Sequence, residues 1–236
     1  MNFKLQRLFK IYLVTITTLF TLFCLGYALD GSLLSHSIQI KDTVGVSANV
    51  KKEIKAVVAD ELSYFSDEFI DDFLQNTKFE IEIRDTYCYS SGFGRNLFLH
   101  QLDKYNFEDT DCYIRAYYEG NQGILRVHVY MQEKNYTANI KESLVHELGH
   151  YFDTADFYYS SSDEFMMLYE KYSKIGAVLI RTTEGYKETS YPLSEPCELF
   201  AEMFAQYVKY SFFLRGYYPD LYHYFKNLLE GGLYNV

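Results

Sequence analysis

One segment of the chain has the residue types and spacing for metal-assisted hydrolysis: His146, Glu147 and His150, in the sequence HELGH. Residues four apart lie on one face of an α-helix, so the two imidazoles can bind the same metal ion. Glu147 lies beside that face, where its carboxylate can take a proton from a water at the metal. The motif is typical of zinc metallopeptidases. Apolar residues at helical spacing indicate that it lies on an amphipathic helix: Ile140, Leu144, Val145, Leu148 and Phe152.

A catalytic zinc ion needs a third protein ligand, and three downstream carboxylates are candidates. Asp156 follows His150 by six residues, but Asp153 stands where that spacing needs a glycine to turn the chain. Glu198 and Glu202 lie four apart in an otherwise apolar helical segment, so both can face a positive group. Zinc binding by Glu198 and a hydrogen bond from a ligating histidine to Glu202 would satisfy both carboxylates.

The motif HELGH and the segment ELFAEMF, which starts 48 residues after His150, together resemble the catalytic domain of anthrax lethal factor and the related secreted Pro-Pro endopeptidases. In size and layout the chain is most similar to the Pro-Pro endopeptidases. The resemblance implies a zincin-like fold in which His146, His150 and Glu198 bind one zinc ion. It also implies that Glu147 is the general base.

The same resemblance implies roles for two further residues, and one position departs from the family pattern. Tyr191 stands seven residues before Glu198, where the family has a tyrosine whose hydroxyl points into the site, so it would stabilise the oxyanion. Glu202 would orient a histidine ligand, and Asp153 matches the family's acidic residue just past the second histidine. Cys197 departs from the pattern, and its thiol could compete for the metal or pack as a small apolar residue.

The N-terminus has the pattern of an export signal. Basic residues precede an uncharged run over residues 11–29, and small residues near its end permit cleavage after Ala28. We therefore predict a signal peptide over residues 1–28 and a secreted, extracellular metallopeptidase domain over residues 29–236. The run has nineteen residues, so it could instead remain uncut as a membrane anchor on the extracytoplasmic side.

Charge and composition limit the partners. The formal net charge is −10, and it becomes −13 without Lys4, Arg7 and Lys10. An acidic protein is poorly suited to nucleic acid or anionic lipid, so we expect a protein or peptide substrate, no nucleic acid, and no membrane beyond a possible anchor. The chain is 48% hydrophobic and has no repeats or linker, which favours one domain. We expect a monomer.

Hydrophobic periodicity predicts an α+β fold that is mostly helical, with a short sheet beside the helix of the HELGH motif. The domain would consist of an N-terminal helix–strand part over about residues 45–135 and a catalytic helical part over about residues 138–236. Besides the motif helix, the pattern predicts helices over about residues 50–73, 163–173 and 220–229 and strands over residues 79–84 and 124–131.

Several local features have two interpretations. The strand over residues 124–131 could edge the substrate cleft or lie inside the sheet. Residues 182–192 are predicted to form a polar loop that could overhang the cleft. Gly149 costs helix stability, so it implies close approach of either another helix or the substrate. Cys88 and Cys112 could form a disulfide, and the histidines outside the motif are predicted to be packed or exposed: His36, His100, His128 and His223.

These features favour an exported zinc endopeptidase that hydrolyses peptide bonds, with extracellular and even proline-containing proteins as substrates by resemblance alone. The alternative is a non-catalytic exported binding or toxin-accessory domain with a structural zinc ion. Glu147 argues against this alternative, because a structural zinc site normally has four protein ligands and no use for a general base.

Overall fold

The computed structural model describes residues 38–86, 115–155 and 157–230, and the described residues from Gln39 onward belong to one compact unit. Within the described ranges, no helix is both long and apolar enough to cross a membrane. Several predictions concern positions outside those ranges: the signal peptide or anchor, Cys88, Cys112, Asp156, His36 and His100. The boundary after Ala28 and the division of the domain into two parts stay predictions.

The main sheet has four strands in the order β1–β2–β4–β3: β1 is Gln39–Asp42, β2 is Lys78–Arg84, β3 is Ala116–Glu119 and β4 is Ile124–Tyr130. Strands β1, β2 and β4 are parallel, and β3 runs antiparallel to β4 at the edge. Alternation along β2 and β4 buries one face of the sheet, through Phe79, Ile81, Ile83, Leu125, Val127 and Val129.

The edge strand β3 is absent from the sequence prediction. Its four residues, AYYE, are all half-buried, so they show none of the alternation that reveals a strand. The predicted strand over residues 124–131 is confirmed as β4, and of its two interpretations the interior one is right, because β4 pairs with β2 on one side and β3 on the other.

Six helices complete the described part, which confirms the α+β, mostly helical class. Helices α1, α2 and α4 each begin after a serine whose hydroxyl accepts a backbone N–H of the first turn. The helices are α1 (Ala48–Leu62), α2 (Asp67–Asn76), α3 (Ala138–Ala155), α4 (Asp163–Ser173), α5 (Pro196–Tyr217) and α6 (Pro219–Glu230).

Helix α3, which carries the HELGH motif, lies in the middle of the fold. It packs against β3 and β4 of the sheet and against helices α1 and α5. Its buried side includes Ile140, Leu144 and Leu148, and Phe152 stacks on Phe204 of α5 with ring centroids 5.3 Å apart. Because α3 is enclosed on several sides, its motif residues are held by the core.

Residues 182–192 are not a loop, and that prediction is wrong. They contribute to a hairpin of β5 (Val178–Thr182) and β6 (Gly185–Thr189), followed by a 3₁₀ turn over Tyr191–Leu193. The polar side chains of β6 are mostly exposed, so backbone pairing with β5 holds the strand rather than side-chain burial. Gly185 enters β6 with φ of 140°, a conformation that suits glycine.

Candidate metal centre

The two motif histidines lie one turn apart on α3 and face helix α5. Their ring centroids are 5.0 Å apart, and both side chains are largely buried. Glu198 lies in the first turn of α5. Its Oε2 lies 3.3 Å from His146 Nε2 and 3.6 Å from His150 Nε2, so one carboxylate oxygen meets both imidazoles.

These three side chains have donor atoms and a spacing that could hold a metal ion. One ligand atom from each of His146, His150 and Glu198 can be chosen so that all lie within 4.8 Å of one another. Zn–N and Zn–O bonds of about 2.0–2.2 Å at tetrahedral angles separate neighbouring ligand atoms by about 3.3–3.5 Å. The two Nε2–Oε2 distances are therefore compatible with donors around one metal ion.

Glu202 contacts the other side of His146. Its Oε2 lies 3.4 Å from His146 Nδ1, and its Oε1 accepts a 2.9 Å hydrogen bond from Gln206 Nε2. Burial lowers the pKa of His146, but its contacts with Glu198 and Glu202 outweigh this effect and raise the pKa well above its ordinary value. Glu202 is therefore placed where it can hold the His146 ring in one orientation.

Glu198 is held in its charged form. Burial raises its pKa, but hydrogen bonds from the two histidines outweigh burial, so the pKa of Glu198 lies below its ordinary value. An ionised carboxylate beside two imidazoles is a strong donor set for a divalent cation.

Glu147 is buried, with only 7% of its surface exposed, beside the two histidines. Burial raises the pKa of its carboxyl group, while positive charge on His150 and His146 opposes that shift. A hydrogen bond links it to the backbone of Tyr118 in the edge strand β3. The carboxyl group is therefore fixed next to the donor triangle, in a position suited to proton transfer.

Tyr191, in the turn after the hairpin, also reaches this centre. Its ring centroid lies 6.3 Å from that of His146. Burial, the charges of Glu198 and Glu147, and a hydrogen bond to Glu198 raise the pKa of Tyr191 well above its ordinary value. The residue as a whole is 42% exposed, so part of the side chain faces solvent although its hydroxyl is hydrogen-bonded to Glu198. The hydroxyl therefore stays protonated and can donate a hydrogen bond.

Two residues singled out beside the motif do not join the donor set. Asp153, with 1% of its surface exposed, accepts hydrogen bonds of 2.7 Å from the backbone N–H and the hydroxyl of Ser160, so it closes the turn after α3. Cys197 is half-buried and lies 3.7 Å from Glu195. Burial and nearby carboxylates raise the pKa of its thiol to about 12, which disfavours the thiolate that binds metal.

The histidines that the structure describes outside the motif are not at the centre. His128 lies in β4, almost fully buried, 3.5 Å from Glu82. His223 is exposed on α6. These positions agree with the prediction that the two residues are packed or exposed.

The sequence left two interpretations of Gly149 open and did not indicate a role for Gln206. An ideal Cβ on Gly149 would lie 2.8 Å from Ala201 Cα and 3.0 Å from Ala201 O, so α3 and α5 touch at this glycine. Close helix packing is therefore sufficient to explain Gly149. Gln206 was not predicted at all, although its position four residues after Glu202 was a usable signal.

A broad cleft surrounds the donor triangle. Strand β3, helix α3, the β5–β6 hairpin and the N-terminal part of α5 all contribute to its lining. An open cleft beside a buried set of donors gives an extended molecule access to the centre.

The comparisons with known proteins support the fold. No family model matches the chain, and no curated protein matches its sequence. Among solved structures, the Pro-Pro endopeptidase PPEP-2 from Paenibacillus alvei superposes with a TM-score of 0.52 at 17% sequence identity. The superposition covers 83% of this chain and 98% of that one.

At this identity, the likeness to the Pro-Pro endopeptidase shows a related fold. The structural comparison does not support a relation to the lethal-factor family, so the resemblance to that family rests on the sequence motifs alone. The chain therefore has the predicted zincin-like α+β fold, with a His–His–Glu group that could hold a metal ion.

Proposed function

We propose that this chain is a secreted zinc-dependent endopeptidase. The observation that carries the proposal is the donor triangle of His146, His150 and Glu198 with the buried carboxyl of Glu147 beside it. A related fold in a Pro-Pro endopeptidase supports it. We assign zinc to the centre because two imidazoles and one carboxylate leave a fourth position open, which is the arrangement of catalytic zinc sites.

The side chains divide the work of peptide hydrolysis. A bound zinc ion would polarise the scissile carbonyl and lower the pKa of a water to about 7. Glu147 accepts the proton of the attacking water and returns it to the leaving amine. Tyr191 donates its hydroxyl hydrogen to the developing oxyanion, and Glu202 keeps Nδ1 of His146 hydrogen-bonded so that Nε2 faces the metal.

We further propose that the substrate is an extended segment of an extracellular protein. Among the described strands, β3 pairs with β4 on one side only, so an extended peptide can add as a strand at its outer edge, next to Glu147. Proline-containing segments are one candidate class, by analogy with the structural neighbour's name. Export rests on the sequence pattern of the first 28 residues.

Cleavage of a broad synthetic peptide library by residues 29–236, read by mass spectrometry, tests the proposal. The Glu147→Ala variant is the control, since it keeps the donor triangle and loses the base. We expect cuts that disappear in this variant, and a loss of about 100-fold in rate for Tyr191→Phe. An absence of cuts by folded, zinc-loaded protein would instead favour the non-catalytic binding domain.

A further inference from the structure

Helix α5 carries a row of three polar side chains along one face, each four residues after the last: Glu198, Glu202 and Gln206. The first two belong to the metal centre. Gln206 lies one turn further, has only 4% of its surface exposed and is not needed for the chemistry proposed above. A buried amide must find hydrogen-bond partners, so its contacts show what it does.

Both N–H donors and the carbonyl oxygen of the Gln206 amide are hydrogen-bonded. Nε2 donates to Glu202 Oε1 at 2.9 Å and to the carbonyl of Arg181 at 3.0 Å, while Oε1 accepts the backbone N–H of Arg181 at 3.0 Å. The flipped amide would direct its oxygen at a carboxylate and a carbonyl, which cannot donate to it. The contacts therefore define one orientation, and among side chains of this size only glutamine can satisfy all three.

Arg181 belongs to β5, so Gln206 binds the hairpin through both backbone groups of one strand residue. Strand β6 ends at Thr189, whose hydroxyl accepts the backbone N–H of Tyr191 at 3.2 Å. The hairpin thus leads directly into the turn that holds Tyr191. One buried side chain touches both the carboxylate behind His146 and the strand pair that precedes Tyr191.

We propose that Gln206 is a positioning residue that couples the metal centre to the β5–β6 hairpin. This inference rests on the proposed function, because it assumes that His146 is a metal ligand. Through Glu202, Gln206 keeps His146 in the orientation that binds metal. Through Arg181, it places the hairpin that carries Tyr191 to the site. Metal binding at the centre and ordering of the β5–β6 hairpin are therefore coupled.

Zinc affinity tests the first half of the coupling. The wild type, Gln206→Leu, Gln206→Glu, Glu202→Ala and the double variant Glu202→Ala/Gln206→Leu would compete with a chelator for zinc. We expect Gln206→Leu to weaken zinc binding by about 10-fold, at the lower end of the effect of partners behind ligating histidines. Gln206→Glu should weaken it more, because it directs a carboxylate at two acceptors.

The double variant separates positioning from general stability. If Gln206 acts through Glu202, then Gln206→Leu should have little further effect on zinc affinity once Glu202 is alanine. Losses that simply add would overturn the proposal. Ser66→Ala, which removes the hydroxyl that caps the first turn of α2, is the matched control: it should lower thermal stability and leave zinc affinity unchanged.

Hydrogen exchange of the wild type tests the second half without any variant. We expect zinc to slow exchange of the Arg181 amide and of the hairpin over residues 178–189, and we expect this slowing to disappear in Gln206→Leu. Zinc binding with no change in hairpin exchange would overturn the coupling and leave the proposed function intact. A wild type that fails to bind zinc would overturn both.

Discussion

His146 is the residue on which most interactions of the centre converge, because each of its ring nitrogens meets a carboxylate. Without metal, the raised pKa of His146 and the lowered pKa of Glu198 favour a charged pair, with the proton on the histidine and the glutamate ionised. A metal ion binds the neutral imidazole, so it must displace that proton. Metal binding should therefore weaken as the pH falls.

Separate substitutions of the two competing third ligands test the residue assignment. We expect Glu198→Ala to lower zinc affinity by at least about 100-fold and Asp156→Ala to leave it near the wild-type value, since Oε2 of Glu198 meets Nε2 of both histidines. Chelator competition measures both. Cys197 could replace the lost ligand, so Glu198→Ala is repeated with Cys197→Ser. Zinc retained without Glu198 and lost without Asp156 would contradict the assignment.

At the scale of elements, the centre is a contact between two helices. Helix α3 supplies the histidines and α5 supplies the glutamates, and the two approach closely where Gly149 meets Ala201. Ala201 lies between Glu198 and Glu202 in sequence, so this contact is centred on the site itself. The distance between the helices sets the distance between imidazole and carboxylate.

Gly149→Ala tests this role of helix spacing. The new methyl group would lie within 3.0 Å of backbone atoms of Ala201, which cannot move aside easily, so we expect lower thermal stability and zinc binding weaker by about 10-fold or more. Gly216→Ala on α5 is the matched control, because its Cβ meets nothing within 4 Å and should stabilise the helix by up to about 1 kcal/mol. Unchanged zinc affinity in Gly149→Ala would show that the spacing is not critical.

At the scale of the whole molecule, Glu80 joins three strands of the sheet. Its side chain is fully buried and forms ion pairs with Lys41 of β1, Lys78 of β2 and Arg126 of β4. Burial raises the pKa of Glu80, but the hydrogen bonds from these three cations outweigh burial and lower it to about 2. Because the folded pKa lies below the ordinary value of 4.5, this contribution is full above pH 4.5 and is lost as the pH falls towards 2.

Glu80→Gln should therefore change the acid stability of the protein. We expect a loss of about 2 kcal/mol in the free energy of unfolding at neutral pH, and a shallower decline between pH 4.5 and 2, where the wild type loses the ionised carboxylate. Urea unfolding at a series of pH values measures both effects. Glu68→Gln, at an exposed position, should follow the wild type; an identical profile for Glu80→Gln would contradict the prediction.

The sequence by itself determined the features that are local. The spacing of His146, Glu147 and His150 needs only one helix, and the spacing of apolar residues in the sequence predicts β2, β4 and α4 directly. The pairing of Glu198 with Glu202 on a mostly apolar helix was readable for the same reason. The choice of Glu198 as ligand also drew support from a family resemblance.

Only the tertiary structure decided the features that depend on residues distant in sequence. Strand β3 becomes the sheet edge by pairing with β4, and β6 is held by β5, although neither strand has an alternating pattern of its own. The packing of Gly149 and the contacts of Gln206 arise where α5 meets α3 and the hairpin. Backbone pairing between strands and contacts between helices produce no periodic pattern of apolar residues in the sequence. They depend on the partner segment as much as on the segment itself.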